Sequence, residues 1–259
     1  MIDTGDKRIL LSVDGYTATI RVDRPEKLNV LDYEMVLALE RAAILADNMK
    51  DVRAVILTGT GEKSFCAGGD IEAWSSWDAD DFAMKWVRQG HRAFDALARM
   101  RHPLIAAING HCLGGGLELA VTADVRIAEE HVKVGFPETG IGIIPGWSGT
   151  QRAVRRFGAQ SVRRMALAGE VYDASQALSF GIVDKVVAKG DAYAAAVLMA
   201  NTIAQRSPSA TRLTKLMVNI AEGEEAHAGV EALGGYIAAG SADLAEGLDA
   251  FRNKRVPSF

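Results

Sequence analysis

The spacing of apolar positions changes several times along the chain, and each change predicts an element. Arg8 to Val13 and Thr17 to Asp23 are strand-like, and Asp14-Gly15 between them suits a hairpin closed by a primed turn. After the loop Arg24-Pro25-Glu26-Lys27-Leu28-Asn29, Asp32 is placed to cap a helix running to about Met49, in which Met35, Leu39, Ala42, Ala43 and Ala46 recur at helical spacing. Val52 to Thr58 predicts a short buried strand. Gly59, Gly61, Gly68 and Gly69 punctuate the loop that follows, and an amphipathic helix from about Asp80 to Met100 is expected to carry Phe82, Trp86, Phe94 and Leu97 inward. Leu104 to Asn109 reads as a strand and Gly116 to about Ala123 as a helix. Val125 to Ala128 and Lys185 to Val187 read as further strands. This alternation predicts an α/β fold. From Asp191 onward the sequence turns alanine-rich and helical, with expected breaks at Ser207-Pro208, Gly223 and Gly234-Gly235. The expected organisation is a core over residues 1–190 and a helical region over residues 191–259.

Composition narrows the function classes. A chain of 259 residues that is 49% hydrophobic can bury a sizeable core. A net charge of -4 argues against the basic field needed for broad nucleic-acid or anionic-membrane binding. Cys66 and Cys112 stand too far apart for a metal-ligand spacing, and two cysteines make no disulfide framework, which fits a reducing compartment. The five histidines are scattered, so no metal site is expected. Met1 to Asp6 lacks the basic region and apolar stretch of a signal peptide. No segment approaches the roughly 20 apolar residues that span a bilayer, because Asp124 and Arg126 interrupt the most apolar region. A cytoplasmic location is expected.

Two absences bear on chemistry. No G-x-G-x-x-G follows the first strand, so a dinucleotide-binding reading lacks its phosphate loop. Gly146-Trp147-Ser148-Gly149-Thr150 falls short of a serine nucleophile elbow, since Thr150 takes the place of the last glycine.

The positive signal is a pair of glutamates, Glu118 and Glu138, twenty positions apart, each just after turn-forming glycine or proline. Carboxylates on two separate elements can face one another across a pocket, one taking a proton while the other delivers one or holds a water. Alone, a glutamate at a helix start simply complements the helix dipole. Glu118, however, is flanked by Leu117, Leu119, Ala120 and Val121, so its carboxyl is expected to be partly buried and its pKa raised. Gly114-Gly115-Gly116 would expose backbone N–H groups at that helix start, and the loop Phe65-Cys66-Ala67-Gly68-Gly69-Asp70 can bring another N–H to the same point. Two such donors aimed at a developing enolate oxygen each lower a barrier by roughly 3 kcal/mol. Asp70 is expected to cap the turn after it, ahead of a contact with ligand. Cys66 and Cys112 are assigned structural roles.

Taken together, Ser64-Phe65-Cys66-Ala67-Gly68-Gly69-Asp70-Ile71, Ala106 to Gly110, Gly114-Gly115-Gly116-Leu117-Glu118-Leu119, Phe136-Pro137-Glu138 and Ile144 to Arg152 resemble the enoyl-CoA hydratase/isomerase, or crotonase, superfamily. The resemblance runs through nearly the whole chain. It implies a crotonase-like spiral of β-β-α turns with a carboxy-terminal helical trimerisation region, assembled as a homotrimer or a dimer of trimers. It implies an acyl-CoA thioester substrate and no cofactor, coenzyme A being part of the substrate. By position in the motifs, the backbone N–H groups of Gly69 and Gly115 would form the oxyanion hole, and Glu118 and Glu138 would be the two catalytic glutamates.

The implied reaction is syn addition of water to a trans-2-enoyl-CoA, giving 3-hydroxyacyl-CoA. The alternatives are a Δ3,Δ2-enoyl-CoA isomerase, which needs one carboxylate and no water, and a non-catalytic acyl-CoA binder. Ala67, Asp70 and Ile71 fall in the implied substrate-binding segment. Arg24, Lys27 and Lys254 are candidates to meet the CoA phosphates or adenine. Trp147 stands where many relatives carry a small residue, and it either reshapes the acyl pocket or packs as a buried aromatic.

Overall fold

The computed structural model describes all 259 residues, which divide into two compact units, Met1–Arg212 and Leu213–Phe259. The first unit contains ten strands: β1 (Ile9–Asp14), β2 (Thr17–Val22), β3 (Ala54–Gly59), β4 (Ser64–Cys66), β5 (Leu104–Ile108), β6 (His111–Leu113), β7 (Val125–Glu129), β8 (Lys133–Gly135), β9 (Val171–Asp173) and β10 (Lys185–Val187). They form a six-stranded sheet in the order β1-β2-β3-β5-β7-β10 and a four-stranded sheet in the order β4-β6-β8-β9. The pairs β3/β4, β5/β6 and β7/β8 each send one strand to the large sheet and the next to the small one. Helical segments follow each pair, so the chain winds as a spiral of β-β-α turns, with parallel pairing between successive turns.

The opening hairpin forms as expected with a small shift. Asp14 still pairs with Thr17, and the two loop residues are Gly15 and Tyr16, with φ of 54° at Gly15. Asp32 caps the helix Tyr33–Asn48 by accepting from the Met35 amide, and Met35, Leu39, Ala42, Ala43 and Ala46 are buried along its inner face. β3 is buried at every position because the sheet is covered on both sides. Val55 and Leu57 face the main core. Ala54 and Ile56, with Ile105, Ala107 and Ile127, face Ala192, Ala196 and Ala200 of the helix Ala192–Ala204.

That helix belongs to the first unit. The expected boundary after residue 190 and the division after Arg212 therefore differ by one helix, whose alanines seat it on the sheet. The second unit contains the end of the helix Pro208–Ala221 and the helices Ala226–Ala239 and Ala242–Arg252. Gly234-Gly235 lies inside a continuous helix, contrary to the expected break. Glycine weakens a helix by about 1 kcal/mol against alanine without ending it.

The predicted helix over residues 80–100 is also divided. It begins with a short α-turn, passes through a π-helical segment at Phe82–Val87 and continues as the α-helix Arg88–Ala98. The wider π turn places Phe82, Trp86 and Val87 together on the wall of the cavity described next. No helix is long and apolar enough to cross a membrane.

Candidate active site

Glu118 and Glu138 line one cavity of about 200 Å³. Glu118 reaches it through a tightly packed turn. β6 leads into Gly114, whose φ of 55° and ψ of -129° are open to glycine and strained for other residues, and the six-residue helix Gly115–Ala120 starts just after it, buried throughout. A Cβ on Gly116 would stand 1.9 Å from the Cys66 carbonyl oxygen, so only glycine lets this helix approach β4. Glu138 follows β8 and Pro137, at the start of the 3₁₀ turn Glu138–Ile141. Its Oε1 lies against Gly114, 3.1 Å from where a Cβ would be.

The two carboxyls sit in different polar surroundings. Glu118 Oε1 accepts the backbone N–H groups of Trp147 and Gly149, each at 2.6 Å. Both amides converge because Ser148 between them adopts φ of 80°, and the Ser148 hydroxyl is 3.1 Å from His91 Nδ1. Neither oxygen of Glu138 has a hydrogen-bond partner. Burial pushes the Glu118 carboxyl up to about 8, helped by repulsion from Glu138 and opposed by the amide donors. Burial likewise pushes Glu138 up to about 7.

Because the two groups repel, their protons belong to the pair, which passes through a singly charged state near neutral pH. Two N–H groups stabilise a charge on Glu118, whereas at Glu138 only its own backbone N–H opposes the effect of burial.

Gly68 and Gly69 bring the second glycine loop to the same place. The Gly68 carbonyl accepts from Leu31 at 2.9 Å and the Asp70 amide donates to Leu31 at 2.7 Å, which pins Gly69 between them. Gly68 has φ of 108°, and a Cβ on it would stand 3.4 Å from the Gly115 nitrogen, so the two glycine loops are in contact. The amides of Gly69 and Gly115 donate to no carbonyl within these loops, and both residues line the cavity.

The other singled-out residues separate. Ala67, Ile71 and Trp147 line the cavity. Asp70 is the residue before the helix Ile71–Trp74, but its side chain makes no capping bond. It pairs instead with Arg24 at 2.9 Å and lies 3.6 Å from Lys27, a stronger interaction for a buried carboxylate than one exposed amide would offer. Arg24 also approaches Asp32 at 3.5 Å, and Lys27 pairs with Glu72 at 2.8 Å. Lys254, with φ of 51°, follows the last helix of the second unit.

The cysteine thiols are buried and pushed well up, Cys66 to about 12, as befits packing groups. Trp147 is buried, its indole N–H donating to the Trp86 carbonyl at 3.0 Å while its own amide holds Glu118. Sequence reasoning missed Trp74 and the Ile143, Ile144 and Gly146 wall, and it missed that Gly149 serves Glu118. Clustering of tryptophans at 74, 77 and 86 was the available signal for the first.

A sequence profile described as enoyl-CoA hydratase/isomerase matches residues 14–259. Over 211 residues the chain is 36% identical to the short-chain-enoyl-CoA hydratase of Clostridium acetobutylicum, covering 82% of this chain and 80% of that protein. It is 33% identical to the crotonyl-CoA hydratase of Syntrophomonas wolfei, covering 98% of each. The crystal structure of an enoyl-CoA hydratase from Bacillus anthracis superposes with a TM-score of 0.82 at 31% identity, over 98% of this chain and 99% of the other. The β-β-α spiral, the paired glutamates and these matches place the chain in the enoyl-CoA hydratase/isomerase, or crotonase, family.

Proposed function

We propose that the protein is an enoyl-CoA hydratase, adding water syn across the double bond of a trans-2-enoyl-CoA to give the 3-hydroxyacyl-CoA. The observation that carries this reading is the pair of buried carboxyls in one cavity with unlike hydrogen bonding, Glu118 held by two amides and Glu138 by none. Relatives named as short-chain-enoyl-CoA and crotonyl-CoA hydratases support the same reaction.

In this reading the thioester carbonyl oxygen accepts the amides of Gly69 and Gly115, which stabilise the enolate as it forms. Water lies between the glutamates. Glu118, fixed by Trp147 and Gly149, takes its proton as oxygen attacks C3, acting in the form of the pair in which its carboxylate is charged. In that form Glu138 carries the proton and delivers it to C2. A pair that needs both an acid and a base near neutral pH is matched by carboxyls raised to about 8 and about 7.

The remaining assignments rest on this reading. Ala67, Ile71 and Trp147 border the acyl-CoA. Lys27, half-exposed at the edge of the ion-pair chain, and Lys254 are the proposed contacts for the CoA phosphates. Arg24 and Asp70 serve by fixing the loop that carries Gly69. No further cofactor is required, and a cytoplasmic location is consistent with the substrate. Assembly as a trimer or dimer of trimers through residues 191–259 is supported by exposed apolar side chains in the second unit, among them Val230, Ile237 and Phe251.

The experiment is loss of the conjugated thioester absorbance on adding the protein to crotonyl-CoA, with mass detection of a water-added product. Hydration supports the reading, and a folded protein that binds the thioester without hydrating it removes it.

A further inference from the structure

All four tryptophans of the chain lie in one run of ring contacts. Trp86 is at its centre, with ring centroids 4.7 Å from Trp147, 6.2 Å from Trp74 and 6.4 Å from Trp77. Phe82 stands edge-on to Trp74 at 5.1 Å, and Phe94 edge-on to Trp147 at 5.0 Å. Trp74, Phe82, Trp86 and Trp147 line the cavity that holds the glutamates. Both cavity glycines back onto these rings: a Cβ on Gly69 would stand 2.5 Å from Trp86 Cζ2, and one on Gly115 would stand 2.8 Å from Trp147 Cζ3. Acyl carbons next to a carbonyl held by these glycines are therefore within reach of aromatic faces and edges.

One polar atom of this wall is unmatched. Trp74 Nε1 is buried with no hydrogen-bond partner, 3.5 Å from where a Cβ on Gly69 would be, whereas the indole N–H of Trp147 is used by the Trp86 carbonyl. A buried donor without an acceptor is costly, and a saturated alkyl chain offers it nothing. The π face of an arene accepts an N–H weakly, and an oxygen on the ring accepts it better.

We propose that the acyl end of this site takes a conjugated aryl group, so that its substrates are 3-aryl-2-enoyl thioesters of the cinnamoyl type, the ring lying against the wall formed by Trp74, Phe82 and Trp86. The proposal rests on the hydratase reading of the same cavity and adds the substrate class. Such an acyl group is flat from carbonyl to ring, which suits stacking on a contiguous aromatic wall. Water's hydroxyl bonds to C3, the carbon bearing the ring, its proton passes to the carboxylate, and a carboxyl proton goes to C2 as the π bond is lost. Hydration breaks the conjugation with the ring, so equilibrium lies toward the enoyl thioester and dehydration is the sensitive direction to assay.

The test compares binding of two unreactive thioesters of equal carbon number, 3-phenylpropanoyl-CoA and nonanoyl-CoA, by calorimetry. Dehydration of 3-hydroxy-3-phenylpropanoyl-CoA and hydration of crotonyl-CoA are measured alongside. The phenyl ester is expected to bind about tenfold more tightly, the scale of one or two added aromatic pairs, and Trp74→Leu is expected to bring the ratio within about threefold. Equal or tighter binding of nonanoyl-CoA, or a ratio unmoved in a folded Trp74→Leu protein, overturns the proposal. Hydration of crotonyl-CoA without any aryl preference overturns the substrate class alone. Aryl preference in binding without turnover of either thioester keeps the substrate class and overturns the hydratase reading.

Discussion

Gly90 and Trp147 compete for one volume: a methyl group on Gly90 would stand 1.8 Å from the Trp147 indole nitrogen. The missing side chain opens the helix Arg88–Ala98 to the indole, which donates its N–H to the Trp86 carbonyl one turn back. Because the Trp147 amide holds Glu118, the packing of a remote helix bears on the placement of the carboxylate.

Gly90→Ala is therefore expected to lower kcat by about 10- to 100-fold, the scale of a catalytic group displaced by up to an ångström. It should also destabilise the fold by about 1–3 kcal/mol through overpacking. Steady-state rates and denaturant unfolding check both. Full activity in Gly90→Ala would disconnect Trp147 from the glutamate.

The raised glutamates also link stability to pH. Glu118 titrates near 4.5 when unfolded and is pushed up to about 8 in the folded protein, so the folded state binds the extra proton. The stability tied to this proton is complete below about 4.5 and is lost as pH rises toward about 8. Glu118→Gln removes the titration while its amide oxygen still accepts from Trp147 and Gly149. Its Tm is predicted to exceed that of the parent by several degrees at pH 8 and to exceed it less at pH 5. Equal differences at the two pH values would contradict the raised pKa.

Asp70→Asn tests the chain of charges behind Gly69. The change leaves Arg24, which is largely buried, without its nearest carboxylate, though Asp32 remains at 3.5 Å. The expected cost is about 3 kcal/mol of stability, toward the low end for one partner removed from a buried pair. A lower kcat should accompany it as Gly69 loosens, measured on the folded fraction. Unchanged stability would show that the pairing is incidental.

Much of this was legible in the sequence because local signals and burial agree. Asp32 announces its helix, β5 reads as an apolar run, and Gly114 to Gly116 mark a close approach. Strands β4, β6, β8 and β9 escaped periodicity because three residues are too few to display a period, and glycine-dense flanks read as loop. The small sheet that holds the two glycine loops together was visible only through resemblance. Glu118 and Glu138 were legible as a pair, but their unlike hydrogen bonding depends on the left-handed Ser148, a conformation that no serine in a sequence discloses. Arg24 read as a candidate for the CoA phosphates because its partner Asp70 lies 46 positions away, and pairing over that distance is set by the fold.

The central claim is that one carboxyl serves as base and the other as acid on a single water. It is tested most directly by comparing crotonyl-CoA hydration in the parent, Glu118→Gln and Glu138→Gln proteins, with butyryl-CoA binding measured on each. Each variant is predicted to lose at least about 10²-fold in kcat while binding butyryl-CoA within a few-fold of the parent. Near-normal turnover in either variant would contradict the two-carboxyl account.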